Sequence, residues 1–459
     1  MEDEDANPRE HEKKAEGAAQ PERRKADDGR HQDVRDDQHQ LCPHQHQAVL
    51  RVPLHLVILF LREQRNKRQN PEVGEHDHQA SIRRNGRVRH GAQVYDILEA
   101  MRVERGSVLE ALKVVRDPDL NRDIVSLGFV KDLAIDQGRV ALTIELTTPA
   151  CPVKDQMRDQ ARAAVMQLPG VTSVDVKMSA RVREAVGADG SRQAVPGVKN
   201  VIAVGAGKGG VGKTTVAVNL AIALAKCGSR VGLIDGDIYG PNVPIMLGMK
   251  AQLVTDGQKI VPAEKFDLQI ISMGFLTGDD APIIWRGPML HGALQQFFRE
   301  VRWVDLDYLV VDLPPGTGDI ALSLSQTVPV AGAIVVTTPQ QVSLADTRRA
   351  VAMYKKLNIS PLGVIENMSY FVCPNCAHEA DIFGRGGGEK MAVDLGVPFI
   401  GRIPIYQPIR EGSDIGIPLM ISEPESSAAR AFMAAAERTA AQVSIASYNR
   451  PTIPLTVVR

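Results

Sequence analysis

Gly207 to Thr215 read GKGGVGKTT and fit the spacing G-x-x-x-x-G-K-[ST] through Gly207, Gly212, Lys213 and Thr214. Residues of these types at this spacing bind phosphate. Gly209 and Gly210, with Val211 and Gly212 after them, let backbone N–H groups turn inward on phosphate oxygens. A helix beginning near Lys213 aims its positive end at the same anion. Lys213 is then the cation at the β- and γ-phosphates of ATP and Thr214, followed by Thr215, the hydroxyl ligand of Mg2+.

Three further groups have chemistry-bearing spacing. An apolar run from Arg230 to Ile234 ends in Asp235-Gly236-Asp237, a carboxylate pair at a strand end, although Asp and Gly are also common turn residues. A second run, Asp307 to Val311, ends in Asp312 and enters LPPGTGD; an apolar strand ending in Asp is the second magnesium-binding element of phosphate-loop enzymes. Cys373-Pro374-Asn375-Cys376 places two sulfurs on one turn. Two thiolates complete neither tetrahedral zinc nor a four-iron cluster, and a symmetric dimer would supply the other two ligands. A bridging cluster, a bridging zinc, a redox pair and an inert turn are all open on these residues. The pair stands in an irregular loop before HEADIFGRGGGEKMA, whereas a redox C-x-x-C belongs at a helix start. His378 reads as a bystander, Cys227 as a packed residue, and Cys151, between Pro149 and Pro152, as either a buried thiol or one whose thiolate a helix N-terminus favours.

The elements that must position these residues alternate. Val201 to Val204 is a strand before the glycine loop and Val216 to Lys226 a helix after it. Further strands are expected at Ala333 to Thr338, Pro361 to Glu366 and Pro398 to Gly401. Alternation of this kind predicts an α/β fold, a doubly wound parallel-sheet P-loop NTPase. Ahead of it the pattern predicts a small α+β domain: a helix at Val108 to Val115, strands at Val125 to Leu133 and Arg139 to Leu146, a helix at Pro152 to Leu168 and a strand at Val171 to Met178. The expected division is a disordered or mis-assigned leader over 1–100, the small domain over 104–183, a linker over 184–198, the ATPase domain over 199–446 and a tail over 447–459. Nine of the eleven histidines fall before residue 91, in a stretch too poor in apolar residues to offset ordering entropy.

Net charge is −1 over 459 residues, which points to neither nucleic acid nor an acidic partner. No apolar stretch approaches the roughly 20 residues of a spanning helix. Five cysteines without a signal peptide predict a reducing cytoplasmic setting and no membrane partner.

Lys208, a second lysine just after the first glycine, resembles the deviant phosphate loop of the ParA/MinD/nitrogenase-reductase class, which implies that Lys208 reaches the nucleotide of a partner subunit. DGDIYGPN, SMGF, IIWRGPM, DLPPGTGD, ENMSYFVCPNC and DIFGRGGG follow in the order found in Mrp/ApbC-type iron–sulfur cluster carriers. DPDL, IVSLGFV and TTPACP resemble the small iron–sulfur-assembly domain often fused ahead of them. The resemblance implies a homodimer that carries a [4Fe–4S] cluster on Cys373 and Cys376 and exchanges it with assembly scaffolds and apo iron–sulfur proteins. It implies water activation by Asp237, a magnesium-side role for Asp235, adenine recognition at Asn367 (where a plain turn asparagine competes), and slow ATP hydrolysis. The alternative is a MinD/ParA-like spatial-organising ATPase, which would want a basic amphipathic C-terminal helix; Ser426 to Ser444 is instead alanine-rich with few cations.

Overall fold

The computed structural model describes residues 103–184, 193–237, 240–250, 252–275, 287–316 and 319–449. The expected leader, most of the linker, the tail from residue 450 and the start of IIWRGPM lie outside them.

The small domain runs α1 (Arg105–Leu112), β1 (Val130–Asp136), β2 (Arg139–Leu146), α2 (Lys154–Met166) and β3 (Ser173–Ala180). Its sheet has the order β1-β2-β3, with β1 antiparallel and β3 parallel to β2. Val140, Leu142, Ile144 and Leu146 alternate along β2 and are buried, while α2 contributes Met157, Ala161 and Val165 at one helical face. The expected strand from Val125 begins only at Val130. The Asp123 carboxylate accepts the N–H groups of Val125 (3.1 Å) and Ser126 (2.8 Å), which closes a turn in place of a ladder. Leu127 and Phe129 are apolar because the turn is buried, not because it is extended.

The ATPase domain is built on an eight-stranded sheet. Its strands are β4 (Val198–Ala206), β5 (Val231–Asp235), β6 (Ala263–Lys265), β7 (Leu268–Ser272), β8 (Leu306–Asp312), β9 (Val330–Thr337), β10 (Pro361–Glu366) and β13 (Phe399–Arg402), in the order β6-β7-β5-β8-β4-β9-β10-β13. β11 (Phe371–Val372) and β12 (Glu379–Ala380) form a separate hairpin. All neighbours in the large sheet are parallel except β6 with β7. Every residue of β5, β8 and β9 is buried, the mark of strands covered on both faces. The principal helices are α3 (Lys213–Lys226), α4 (Val243–Met246), α5 (Gly287–Arg299), α6 (Asp319–Thr327), α7 (Gln341–Lys356), α8 (Gly387–Leu395), α9 (Gln407–Ile415), α10 (Leu419–Ser422) and α11 (Ser427–Tyr448). The chain enters at β4, in mid-sheet, and builds outward in both directions, so the strand order switches beside the loop that follows β4.

The two domains meet on a seam. The Tyr308 hydroxyl on β8 donates to Thr148 Oγ1 (3.1 Å), both groups buried. Asn200 on β4 donates to the Arg183 carbonyl (2.9 Å). Tyr448, the last residue of α11, packs edge-on against Phe129 and lies 3.8 Å beneath the Arg183 guanidinium. The two hydrogen bonds are made near the starts of β4 and β8, whereas the glycine loop follows β4 and Asp312 ends β8.

Candidate functional site

The loop between β4 and α3 is closed by its own neighbours. Gly212 holds φ 78°, and a Cβ there would lie 2.3 Å from Asn367 Nδ2, so only glycine fits. Lys213 opens α3 and is 6 % exposed. Its ammonium donates to Asp312 Oδ1 at 2.6 Å, and the Thr214 hydroxyl donates to Asp312 Oδ2 at 2.7 Å. Asp312, fully buried at the end of β8, is thus the common acceptor of the loop's cation and its hydroxyl. Burial pushes its carboxyl above the usual range; Lys213 and Thr214 oppose that shift without cancelling it. Thr214 and Asp312 together offer hard oxygens, a donor set that fits Mg2+ beside a phosphate.

A cleft of about 360 Å3 opens over the loop. Lys208, Lys213, Thr214 and Asp237 line it, joined by Ser413 and Asp414 from α9. The last two were not expected from the sequence; a short helix two hundred residues downstream carries no motif to announce them.

Asp235 and Asp237 divide. Asp237 is on the cleft wall. Asp235 is fully buried: its Oδ1 accepts the Asp237 N–H (3.2 Å), and its Oδ2 accepts the Val243 N–H (3.2 Å) and the Ser272 hydroxyl (3.0 Å). Desolvation first, and then the Asp312 charge, push its carboxyl up to about 7. Asp235, for which a magnesium-side role was expected, here fixes the backbone of Asp237 and the start of α4 from a buried position.

Asn367, expected at the adenine ring, follows β10 directly and donates its amide to the Val211 carbonyl (2.8 Å), beneath the glycine loop. Six residues later comes Cys373. The cysteine loop is the tip of the β11–β12 hairpin, where the Cys373 N–H donates to the His378 carbonyl and the Ala377 N–H to the Cys373 carbonyl, each at 2.9 Å. Cys373 is half-buried and Cys376 exposed. Among the described residues no three metal-ligating side chains converge within one chain.

Cys151 does not have the activated environment its neighbours in sequence allowed. α2 begins three residues later, the thiol is 7 % exposed, and burial pushes it up, with only the Val153 backbone N–H pulling the other way. Cys227, which caps α3, is likewise pushed up, to about 11, chiefly by burial. A larger cleft of about 550 Å3 lies along the domain seam between Lys131, Arg183 and Tyr448, away from the phosphate-binding motif.

Residues 197–440 match the family model of NUBPL iron-transfer P-loop NTPases, and residues 105–176 that of an iron–sulfur cluster assembly protein. An iron–sulfur cluster carrier protein from Synechocystis sp. is 48% identical over 347 residues, 74% of this chain and 98% of the relative. One from Escherichia coli K12 is 41% identical over 344 residues, 74% of this chain and 92% of the relative. Among solved structures, a nucleotide-binding protein from Archaeoglobus fulgidus in complex with ADP is 34% identical, covers 52% of this chain and 93% of its own, and has a TM-score of 0.46. Among the described residues no helix is long and apolar enough to cross a membrane.

Proposed function

The chain belongs to the iron–sulfur cluster carrier proteins, and from that premise we propose that it is an ATP-dependent carrier whose cargo is a [4Fe–4S] cluster held between two copies of the chain. Cys373 and Cys376 of each copy give the four thiolates such a cluster takes. A two-fold axis beside the hairpin brings each pair opposite its own copy. Apo iron–sulfur proteins are the recipients and assembly scaffolds the source.

In this reading ATP occupies the cleft over Gly207–Thr215. Lys213 leaves Asp312 for the β- and γ-phosphates, a charge-assisted exchange between two anions. Thr214 and Asp312 hold Mg2+, which supplies neutralisation of the phosphate charge. Asp237, fixed through its backbone by Asp235, orients the attacking water. Lys208 on the cleft wall serves the nucleotide of the partner subunit, so hydrolysis and dimer geometry are linked. Turnover is slow and acts as a switch: ATP moves the dimer between holding and releasing arrangements only as far as it binds one better than the other.

The single observation that carries the reading is the short path from loop to thiols. Asn367 touches the glycine loop through Val211, and Cys373 is six residues further along the same chain. The test is anaerobic reconstitution with iron and sulfide, followed by metal analysis of wild type, Cys373→Ser and Cys376→Ser. The wild type is expected to hold iron and sulfide in equal amounts, and either variant to lose both, since one substitution removes two of four ligands from a symmetric site. Zinc in place of iron, or full loading of a variant, would overturn the proposal.

A further inference from the structure

Glu366 is a charged side chain with 0 % exposure at the end of β10. It accepts the N–H groups of Gly386 (2.9 Å) and Gly388, together with the Ser369 hydroxyl. No ion pair to Glu366 occurs among the described residues. Its charge is met by backbone donors at the N-terminus of α8, a nine-residue helix. A Cβ on Gly388 would come within 3.0 Å of Glu366 Oε2, so the glycine run is what lets the backbone close on the carboxylate. Burying a carboxylate is costly unless donors are fixed around it, and here the donors and the carboxylate fix each other.

What this closure holds in place is Arg385, next to Gly386. Its guanidinium pairs with Glu379 (2.7 Å) and Asp381 (2.9 Å) and stacks 4.5 Å over the Tyr370 ring. Glu379 lies on β12 opposite Val372, the residue before Cys373. Tyr370 is the residue before β11. One arginine therefore grips both arms of the cysteine hairpin. Ser369, the third hydrogen-bond partner of Glu366, anchors the β11 arm further through its N–H to the Ile403 carbonyl (3.0 Å). On the other side of the same junction, Asn367 holds Val211 in the phosphate loop.

We infer that Glu366 is a positioning residue that, through the Gly386–Gly388 backbone and Arg385, sets the cysteine hairpin and couples it to the nucleotide loop held by the adjacent Asn367. Its role for the cluster rests on the reading proposed above; its coupling of loop to hairpin does not. Glu366 does not line the cleft over the phosphate loop. Glu366→Gln keeps the size of the side chain but turns an amide donor toward backbone donors, which opens the closure.

The test uses two readouts on the full chain. In the apo protein, site-resolved alkylation of Cys373 and Cys376 is followed by mass spectrometry with and without ATP and Mg2+. In the reconstituted protein, cluster loss to an iron chelator is followed by absorbance. Wild-type hairpin alkylation is expected to change several-fold on ATP binding. In Glu366→Gln and Arg385→Ala that response disappears and cluster loss accelerates about tenfold or more, while ATP affinity changes less than about threefold. Arg385→Lys, which keeps an ion pair but not the stacked fork, is intermediate. Arg385 is one-third exposed, so its variants fold even if Glu366→Gln does not. Hairpin alkylation indifferent to ATP in the wild type, or unchanged coupling in the Arg385 variants, overturns the inference. A wild type that shows the coupling and yet binds no cluster overturns the carrier reading and leaves the inference standing.

Discussion

Replacing Asp312 by Asn keeps the shape of the side chain and removes the charge that Lys213 faces at 2.6 Å. The pair is buried, with side-chain exposures of 6 % and 0 %, so solvent screens it little. Breaking a buried pair costs about 3–5 kcal/mol, because the remaining charge stays uncompensated. Burial already pushes the Asp312 carboxyl up in spite of Lys213, which places the net loss at the lower end, about 3 kcal/mol. That corresponds to a melting temperature lower by about 6–12 °C for a domain of this size. Nucleotide reverses the sign. Without Mg2+ the Asp312 carboxylate repels the phosphates and holds the lysine they need, so Asp312→Asn should bind ATP about tenfold more tightly than wild type in EDTA. With Mg2+ it should bind more weakly, having lost a ligand of the ion. Thermal denaturation and titration calorimetry, each with and without Mg2+, read both effects. Equal stability of the two proteins, or weaker ATP binding by the variant in EDTA as well, would refute the lysine–aspartate exchange.

Asp237→Ala should keep ATP affinity within about threefold while steady-state hydrolysis falls about a hundredfold or more; parallel loss of binding would show that Asp237 holds nucleotide instead. Tyr308→Phe deletes a buried hydroxyl on the domain seam and should cost about 1 kcal/mol in denaturant unfolding, with ATP hydrolysis retained. In alkylation of the apo protein at pH 8, among the described cysteines Cys376 should react first and Cys227 last. A thiol pushed up to about 11 is ionised in only about one molecule in a thousand at that pH, and its reaction should climb as pH rises toward 11. Rapid modification of Cys227 at pH 8 would contradict the desolvation given to its half-buried thiol.

The phosphate loop was legible because its chemistry is local: a strand, a glycine turn and a helix start are contiguous, and their spacing leaves few alternatives. Asp312 was legible for the same reason, as the last residue of an apolar strand. Asp235 was not. Its partners Val243 and Ser272 lie eight and thirty-seven residues downstream, and only the fold decides whether a strand-end carboxylate faces a cleft or a hydroxyl. Cys151 was open in the sequence between a buried thiol and one favoured by a helix N-terminus; the helix begins at Lys154 and burial dominates. Val125, Leu127 and Phe129 alternate like a strand, but Asp123 caps them into a turn. Glu366 opens the string ENMSYFVCPNC, but the string does not say what it does: its meaning depends on amides twenty and twenty-two residues away. Tyr448, assigned to a tail, continues α11 and closes the domain seam.

The central claim, one cluster shared by two chains, is tested most directly by native mass spectrometry of the anaerobically reconstituted protein. The account predicts a species of two chains carrying about one set of four irons and four sulfides, which reverts to cluster-free protein in Cys376→Ser. A cluster of the same composition on a single chain, or a dimer whose added mass is zinc, would contradict it.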